Sequence, residues 1–478
     1  MTVTDESAIV FSKPLAATTT AIPGLVVWDL PVHGDARGWF KENWQREKMV
    51  AAGLPDFGPV QNNISFNDAV GTTRGIHAEP WDKWVSVATG RIFGAWVDLR
   101  EGPSFGAVYT TEIDPSRAIF VPRGVGNAYQ TLAADTAYVY LVNDHWSPAA
   151  SYTFLNLADE TAAIDWPIPL SEVEISAKDL AHPRLDAVVP MPPRKTLVLG
   201  ADGQLGRALR DVLGDSNVEY ATRHTLDLTD PDLATAKHWR DYGTIINAAA
   251  YTAVDTAETP EGRAAAWNVN VTAVASLARI ATAHDITLVH VSSDYVFDGT
   301  KTGAYLETDP ISPLGIYGQT KAGGDAIVTT VPRHYILRTS WVIGEGNNFV
   351  RTMLRLAERG INPAVVNDQT GRLTFTTDLA TGIQHLINTN APYGTYNLTA
   401  AGEPTSWADI ARMTFAAAGH DPERVSATTT AEYFANATTA VAPRPTNSTL
   451  AIEKLTATGF TPADQLDQLK QYIHDALA

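Results

Sequence analysis

Thr196-Leu197-Val198-Leu199 runs directly into Gly200-Ala201-Asp202-Gly203-Gln204-Leu205-Gly206, an apolar strand-like segment followed by three glycines at three-residue spacing. Glycine permits a tight turn and a close approach of backbone to phosphate, and a helix starting there offers free amides and a partial positive charge. Alone, such a turn is often nothing more than a turn. Between a strand and a helix it reads as a dinucleotide cradle built from Gly200, Gly203, Gln204, Leu205 and Gly206. Downstream, the apolar strands Thr244–Asn247, Thr287–Val291 and Tyr335–Arg338 alternate with alanine-rich helical stretches such as Ala264–His284. That alternation predicts a Rossmann-type α/β domain, a parallel sheet with helices on both faces.

The same half holds Ser293 at a strand end and Tyr317-Gly318-Gln319-Thr320-Lys321. Tyr317 and Lys321 are four residues apart and share a helix face. The ammonium is expected to lower the tyrosine's pKa and to hold a nicotinamide ribose. Tyr317 then protonates a carbonyl oxygen during reduction, with Ser293 hydrogen-bonded to the same oxygen. Tyr-x-x-x-Lys also recurs by chance on many helices, but its position after the glycine turn and the strand-end serine favours the catalytic reading. The second strand, Val218-Glu219-Tyr220-Ala221-Thr222-Arg223, has no carboxylate at its tip for a ribose 2′-hydroxyl. Arg223 is placed to face a 2′-phosphate, so NADPH is favoured while NADH stays open.

Residues up to about Asp186 have another grammar. Short β-branched and aromatic runs, among them Gly24–Trp28, Lys83–Ala88, Arg91–Leu99, Ala118–Val121 and Tyr138–Val142, suit an antiparallel sandwich or barrel. Three prolines within Pro190-Met191-Pro192-Pro193 mark a linker. The expected organisation is residues 1–186, a linker 187–194, and residues 195–478, with the Thr/Ala-rich first twenty residues mobile. The 478 residues suit two or three domains. A balance of 35 basic against 53 acidic side chains argues against nucleic-acid or anionic-membrane partners. The absence of cysteine excludes disulfides and thiolate catalysis. No basic segment followed by an apolar run and no membrane-length apolar stretch is present, so a cytoplasmic protein is expected.

The first half carries Asp35-Ala36-Arg37-Gly38-Trp39-Phe40-Lys41-Glu42, Gln61-Asn62-Asn63, Arg74-Gly75-Ile76-His77, Lys83, Tyr140 and Lys178-Asp179. A lone strand histidine is more often structural than catalytic. Held by a carboxylate, however, a neutral imidazole is a competent base near neutral pH. A tyrosine on the opposite wall returns a proton to the other face of a carbon α to a carbonyl, and Lys83 steadies the enolate. Base and acid on opposite faces describe an epimerase.

The second half resembles the dTDP-4-dehydrorhamnose reductases, extended short-chain dehydrogenases. The resemblance rests on Asn247–Asp255, Ser293–Phe297, Tyr317–Lys321, Arg338–Trp341, Asn347–Phe349, Asn367–Gln369 and Arg444–Ser448. It implies Tyr317 as proton donor beside Lys321, and Ser293 where the family usually has threonine. It further implies Val254, Asp294 and Trp341 near the sugar, Ala248, Ala249 and Ala250 along the cofactor, and Asp227 and Leu228 near the adenine. The first half, residues 20–185, resembles the dTDP-4-dehydrorhamnose 3,5-epimerases, cupin-type (jelly-roll) barrels. That implies His77 as base, Asp179 as its partner and Tyr140 as acid, with Arg37, Glu42, Gln61, Asn63, Arg74, Lys83 and Lys178 on sugar or diphosphate. Asn127 stands where the family usually has histidine, a glutamate after the Tyr140 strand is replaced near Ser151, and the His77–Lys83 loop is short.

The resemblances together imply a fused enzyme that epimerises a dTDP-linked 4-keto-6-deoxy sugar at C3 and C5 and then reduces C4 to give dTDP-L-rhamnose. Two alternatives stay open: a barrel that only binds or dimerises, and a pair of enzymes making a different 6-deoxy sugar. A homodimer is expected by resemblance. No barrel metal is expected, since His77 has only Glu79 near it in sequence. Magnesium is compatible with the reductase half but not required.

Overall fold

The structure is a computed structural model that describes residues 9–148 and 150–477. The chain divides into two compact units, Met1–Pro193 and Arg194–Ala478. In the first, strands β1 (Ala16–Thr19), β2 (Val26–Asp29), β3 (Val32–Asp35), β4 (Gly38–Lys41), β5 (Gln61–Asn67), β6 (Thr73–Ala78) and β7 (Lys83–Thr89) are followed by β8 (Ile92–Asp98), β9 (Val108–Ile113), β10 (Arg117–Val121), β11 (Val125–Thr131), β12 (Thr136–Val142) and β13 (Thr153–Phe154). Two short helices, α1 (Arg46–Ala51) and α2 (Ala177–Leu180), complete it. One sheet has the order β1-β2-β10-β7-β12-β5 and the other β13-β6-β11-β8-β9. All the strand pairings in both are antiparallel. Trp96 is fully buried among Val85, Ile119 and Tyr129 in the core of this barrel.

Two expectations change here. The first twenty residues are not uniformly mobile, because β1 pairs with β2 and Thr20 Oγ1 donates to Leu25 O at 3.0 Å; residues 1–8 lie outside the described residues. Most of the expected linker packs on the first unit. Met191 is buried, and its N–H donates to Leu99 O at 2.8 Å.

The second unit is built on six parallel strands: β14 (Lys195–Leu199), β15 (Val218–Ala221), β16 (Tyr242–Asn247), β17 (Thr287–Ser293), β18 (His334–Thr339) and a last strand, Gly394–Asn397. Their order is β15-β14-β16-β17-β18 and then that last strand. Apolar side chains fill both sides of the sheet, Leu197, Ile245 and Leu288 on one and Val198, Ile246 and Val289 on the other. This two-sided burial explains why the strands read as apolar runs and not as alternations. Helix α3 (Gln204–Leu213) follows the glycine turn, and α6 (Ile316–Val328) carries the Tyr-x-x-x-Lys pair. The stretch expected as one helix from Ala264 to His284 is instead α4 (Pro260–Trp267) and α5 (Ala273–Ala283) joined by a wide π-type turn, Asn268–Thr272. Buried Asn270 in that turn accepts from Tyr251 N at 2.9 Å and donates to Tyr251 O at 3.1 Å and to Thr320 Oγ1 at 3.0 Å. A regular turn is given up so that one amide side chain ties a cofactor-side loop to α6.

Candidate functional sites

In the barrel, β6 presents His77 and α2 presents Asp179. Ser176 caps α2 by accepting from Asp179 N at 3.1 Å, which fixes the start of the turn bearing the carboxylate. His77 Nε2 lies 2.8 Å from Asp179 Oδ1, and Gly75 N–H donates to Oδ2 at 3.4 Å. Burial pushes the Asp179 carboxyl up, but the hydrogen bonds from His77 and Gly75 and the charges of His77 and His182 outweigh it and leave it below its ordinary value. Asp179 is therefore ionised at neutral pH. With Nε2–H of His77 donated to the Asp179 carboxylate, the lone pair of His77 sits on Nδ1.

Lys83 on β7 is buried, forms an ion pair with Glu79, and places its ammonium 5.6 Å from the centre of the Tyr140 ring. Burial, then the charge of Glu79, raises the Tyr140 phenol above its ordinary value, so it is protonated and able to donate. Asn127 donates through Nδ2 to Tyr138 OH at 2.9 Å; the residue standing in for histidine is thus engaged in the barrel interior. Gln61 donates to Asn63 Oδ1 at 2.8 Å, Arg74 donates to Asn67 Oδ1 at 3.3 Å, and Lys178 lies 5.3 Å from the Phe154 ring centre. Arg37 and Glu42 are not brought to this cluster. They sit exposed on and just after the β3–β4 hairpin, paired with Asp35 and Lys48. His182 was missed in the sequence: it packs against Asp179, His77 and Phe154, and its only sequence signal is its position three residues after Asp179.

The second unit contains a cleft of about 910 Å³ at the carboxyl ends of its strands. Gly200, Gly203, Gln204, Leu205, Arg223, Asp227, Leu228, Ala248, Ala249, Ala250, Val254, Ser293, Asp294, Tyr317, Lys321 and Trp341 all line it. Gly206 does not; a Cβ there would lie 2.3 Å from Gly200 O, so its role is to let α3 approach the turn. Gly200 has φ +77°, and a Cβ would lie 2.8 Å from Ala249 N, so glycine is what lets these two cofactor-side loops pack this closely. Asn247 Oδ1 accepts from Ala249 N at 3.2 Å and steadies the second loop. Glu219 on β15 is held by Lys237 and Tyr242, which leaves Arg223, its side chain 82% exposed, near the cofactor end of the cleft. The glycine turn, the helix start and the exposed Arg223 guanidinium, 3.9 Å from the Asp227 carboxylate, together fit a dinucleotide phosphate.

Ser293 Oγ donates to Asp294 Oδ1 at 2.9 Å and accepts from Tyr295 N at 3.2 Å. Lys321 Nζ donates to Val291 O at 2.7 Å, and burial pulls its ammonium down to about 8 against the opposing charge of Asp325. The expected lowering of Tyr317 by Lys321 is not seen. Burial, then the charge of Asp294, pushes the phenol up to about 12, and only its hydrogen bond with Ser293 pulls against this. Tyr317 is thus a protonated acid at rest. Trp341 adopts φ +45° and stacks on Trp407 at 3.9 Å, a strained conformation braced by its neighbour at the far end of the cleft. Asp325, which forms a buried ion pair with Arg338 at 3.1 Å, and Trp407 are site-associated residues that the motifs did not single out.

Fold and sites define a two-enzyme class: a proton-transferring antiparallel barrel fused to a short-chain, dinucleotide-dependent reductase. The sequence profile described as dTDP-4-dehydrorhamnose 3,5-epimerase matches residues 19–187, and that described as RmlD substrate binding domain matches residues 194–478. The chain belongs to the dTDP-4-dehydrorhamnose 3,5-epimerase family through its first unit and to the dTDP-4-dehydrorhamnose reductase (RmlD) family through its second. The first unit is similar to a protein RmlC homolog of Streptococcus pyogenes, 50% identical over 192 residues, covering 38% of this chain and 96% of that protein. The second is similar to a dTDP-4-dehydrorhamnose reductase of Aggregatibacter actinomycetemcomitans, 41% identical, covering 58% of this chain and 97% of that one. A dTDP-4-dehydrorhamnose reductase of Bacillus anthracis solved in complex with NADP matches at TM-score 0.54 and 31% identity, covering 59% of this chain and 99% of that one. Epimerase and reductase of dTDP-rhamnose biosynthesis are both present in this chain, and its reductase uses NAD(P)H.

Proposed function

We propose that the chain converts dTDP-4-dehydro-6-deoxy-D-glucose to dTDP-L-rhamnose in two steps, with epimerisation first. The order follows from chemistry, because the C4 ketone acidifies the C3 and C5 hydrogens and reduction removes that acidity. His77 Nδ1 takes the proton from carbon while Asp179 stabilises the imidazolium. Lys83 stabilises the enolate oxygen, and Tyr140 returns a proton to the opposite face. Gln61, Asn63, Arg74, Lys178 and, more remotely, Arg37 and Glu42 are assigned to the nucleotide-sugar. The bound nicotinamide cofactor, NADPH in preference to NADH because of Arg223, supplies a hydride. Tyr317 gives its proton to the C4 oxygen, Ser293 holds that oxygen, Lys321 places its charge beside them, and Asp294, Val254 and Trp341 orient the sugar. The observation that carries the reading is the pairing of a His77–Asp179 dyad in one unit with the Ser293–Tyr317–Lys321 cleft in the other. A cytoplasmic homodimer completes the proposal; among the described residues no helix is long and apolar enough to cross a membrane.

The test is incubation of the intact chain with dTDP-4-dehydro-6-deoxy-D-glucose and NADPH, following cofactor oxidation and identifying the sugar. Formation of dTDP-L-rhamnose without added enzyme is expected. Oxidation only after adding a separate epimerase would reduce the barrel to a binding module, and a different 6-deoxy product would change the substrate assignment.

A further inference from the structure

His182 stands out in the barrel because nothing in the proposed mechanism uses it. Its side chain is 6% exposed, and its ring nitrogens make no hydrogen bond of ordinary geometry, their nearest backbone partner being Leu155. A buried imidazole of this kind is costly unless it serves something. Its Nε2 lies 3.8 Å from Asp179 Oδ1, which in turn lies 2.8 Å from His77 Nε2. One ligand atom from each of His77, Asp179 and His182 falls within 4.8 Å of the other two. In a tetrahedral zinc centre with bonds of about 2.0–2.1 Å, neighbouring ligand atoms stand roughly 3.3 Å apart. The two separations from Asp179 Oδ1 bracket that value, and the ligand atoms of the two imidazoles lie within 4.8 Å of each other, so side-chain rotation is needed to close the set. Two imidazoles and a carboxylate suit zinc and its divalent transition-metal neighbours far better than magnesium or calcium. The side chain of His77 is 35% exposed and gives an ion its way in from solvent.

We infer that His77, Asp179 and His182 form a three-ligand site for a divalent transition-metal ion such as Zn²⁺, and that the ion inhibits the barrel. Coordination through Nε2 of His77 breaks that nitrogen's bond to Asp179 and shifts the ring's one proton to Nδ1. With Nε2 on the metal and Nδ1 protonated, the ring has no lone pair left to accept the sugar's proton, so proton abstraction stops. The reductase is untouched, and the fused enzyme becomes metal-sensitive at its first step alone. The binding part stands by itself; the inhibition part rests on His77 being the base.

The experiment uses the intact chain. Zn²⁺ is titrated calorimetrically into the wild type and His182→Asn, and epimerisation is read without NADPH as deuterium uptake at sugar C3 and C5 from D₂O. One equivalent of Zn²⁺ is expected to bind the wild type at least tenfold more tightly than His182→Asn. Deuterium uptake is expected to be blocked in the wild type, restored by EDTA, and insensitive to the same Zn²⁺ concentration in His182→Asn. Equal affinity in the two proteins overturns the site. Binding that depends on His182 but leaves deuterium uptake intact keeps the metal site and refutes His77 as base. Should His182→Asn fail to fold, Co²⁺ bound to the wild type supplies the test. Paramagnetically shifted resonances from two imidazoles support the site, and a cobalt spectrum without nitrogen ligation overturns it.

Discussion

Lys321 and Tyr317 share a helix face, yet their protonation is governed by different surroundings. Burial brings the Lys321 ammonium to about 8, while Tyr317 stays protonated with its phenol near 12. Reductase activity should therefore fall as pH rises through about 8, when the ammonium loses its charge; kcat against pH at saturating NADPH measures this, and a profile flat through that range removes the charge from the mechanism. Tyr317→Phe is expected to lower reductase kcat by roughly 10²–10⁴-fold while deuterium uptake by the barrel stays at the wild-type level. Asp179→Asn should do the reverse and depress only epimerisation, because the amide cannot stabilise the imidazolium. Asp294 carries a stability effect. Burial raises it from 3.8 to about 6, against hydrogen bonds from Ser448 and Ser293. Between those values the folded state holds a proton that the unfolded state has released, so stability falls as pH rises through this window. The loss amounts to about 3 kcal/mol and persists above about 6. Urea denaturation at both ends of the window should show this slope in the wild type and a flatter one in Asp294→Asn.

At the scale of elements, the π-type turn at Asn268–Thr272 shows how the cleft is held. Asn270 meets both backbone polar groups of Tyr251, which lines the cleft, and also reaches Thr320 on α6. Asn270→Ala leaves these groups unpaired, at a cost of about 1–3 kcal/mol. Weaker NADPH binding measured by fluorescence should accompany the loss, since the loop beside the cofactor is released. Helical periodicity anticipated α4 and α5 but not the wide turn between them, because the reason for it is a side chain bonding to a loop far along the chain. In the same way, residues 187–194 read as a linker from their prolines, whereas Met191 is buried against the first unit.

At the scale of the molecule, each unit has its own buried core, one around Trp96 and the other on both faces of the parallel sheet. Residues 1–193 and 194–478 produced separately are therefore expected to fold, and their mixture to make the same sugar as the intact chain. Detection of only one activity in the mixture would show that the fusion itself is needed. The edge strand β5 exposes Ile64 and Phe66 at 67% and 61%. An exposed apolar edge suits the homodimer proposed above, and Ile64→Asp combined with Phe66→Asp is expected to give a monomer by light scattering.

The Rossmann-type half was legible in the order of its residues because its signals are local. The glycine turn follows its strand directly, and Tyr317 and Lys321 lie one helical turn apart. Apolar runs announce strands covered on both faces. The barrel's strands were legible for the same reason, but its chemistry was not: His77 and Asp179 are 102 positions apart and meet only when α2 folds against β6. Only resemblance joined them in advance. Burial is likewise a property of the folded chain. Spacing placed Lys321 beside Tyr317 but could not show that desolvation outweighs the expected help, nor that His182 would end against Asp179 with its imidazole nitrogens out of reach of water.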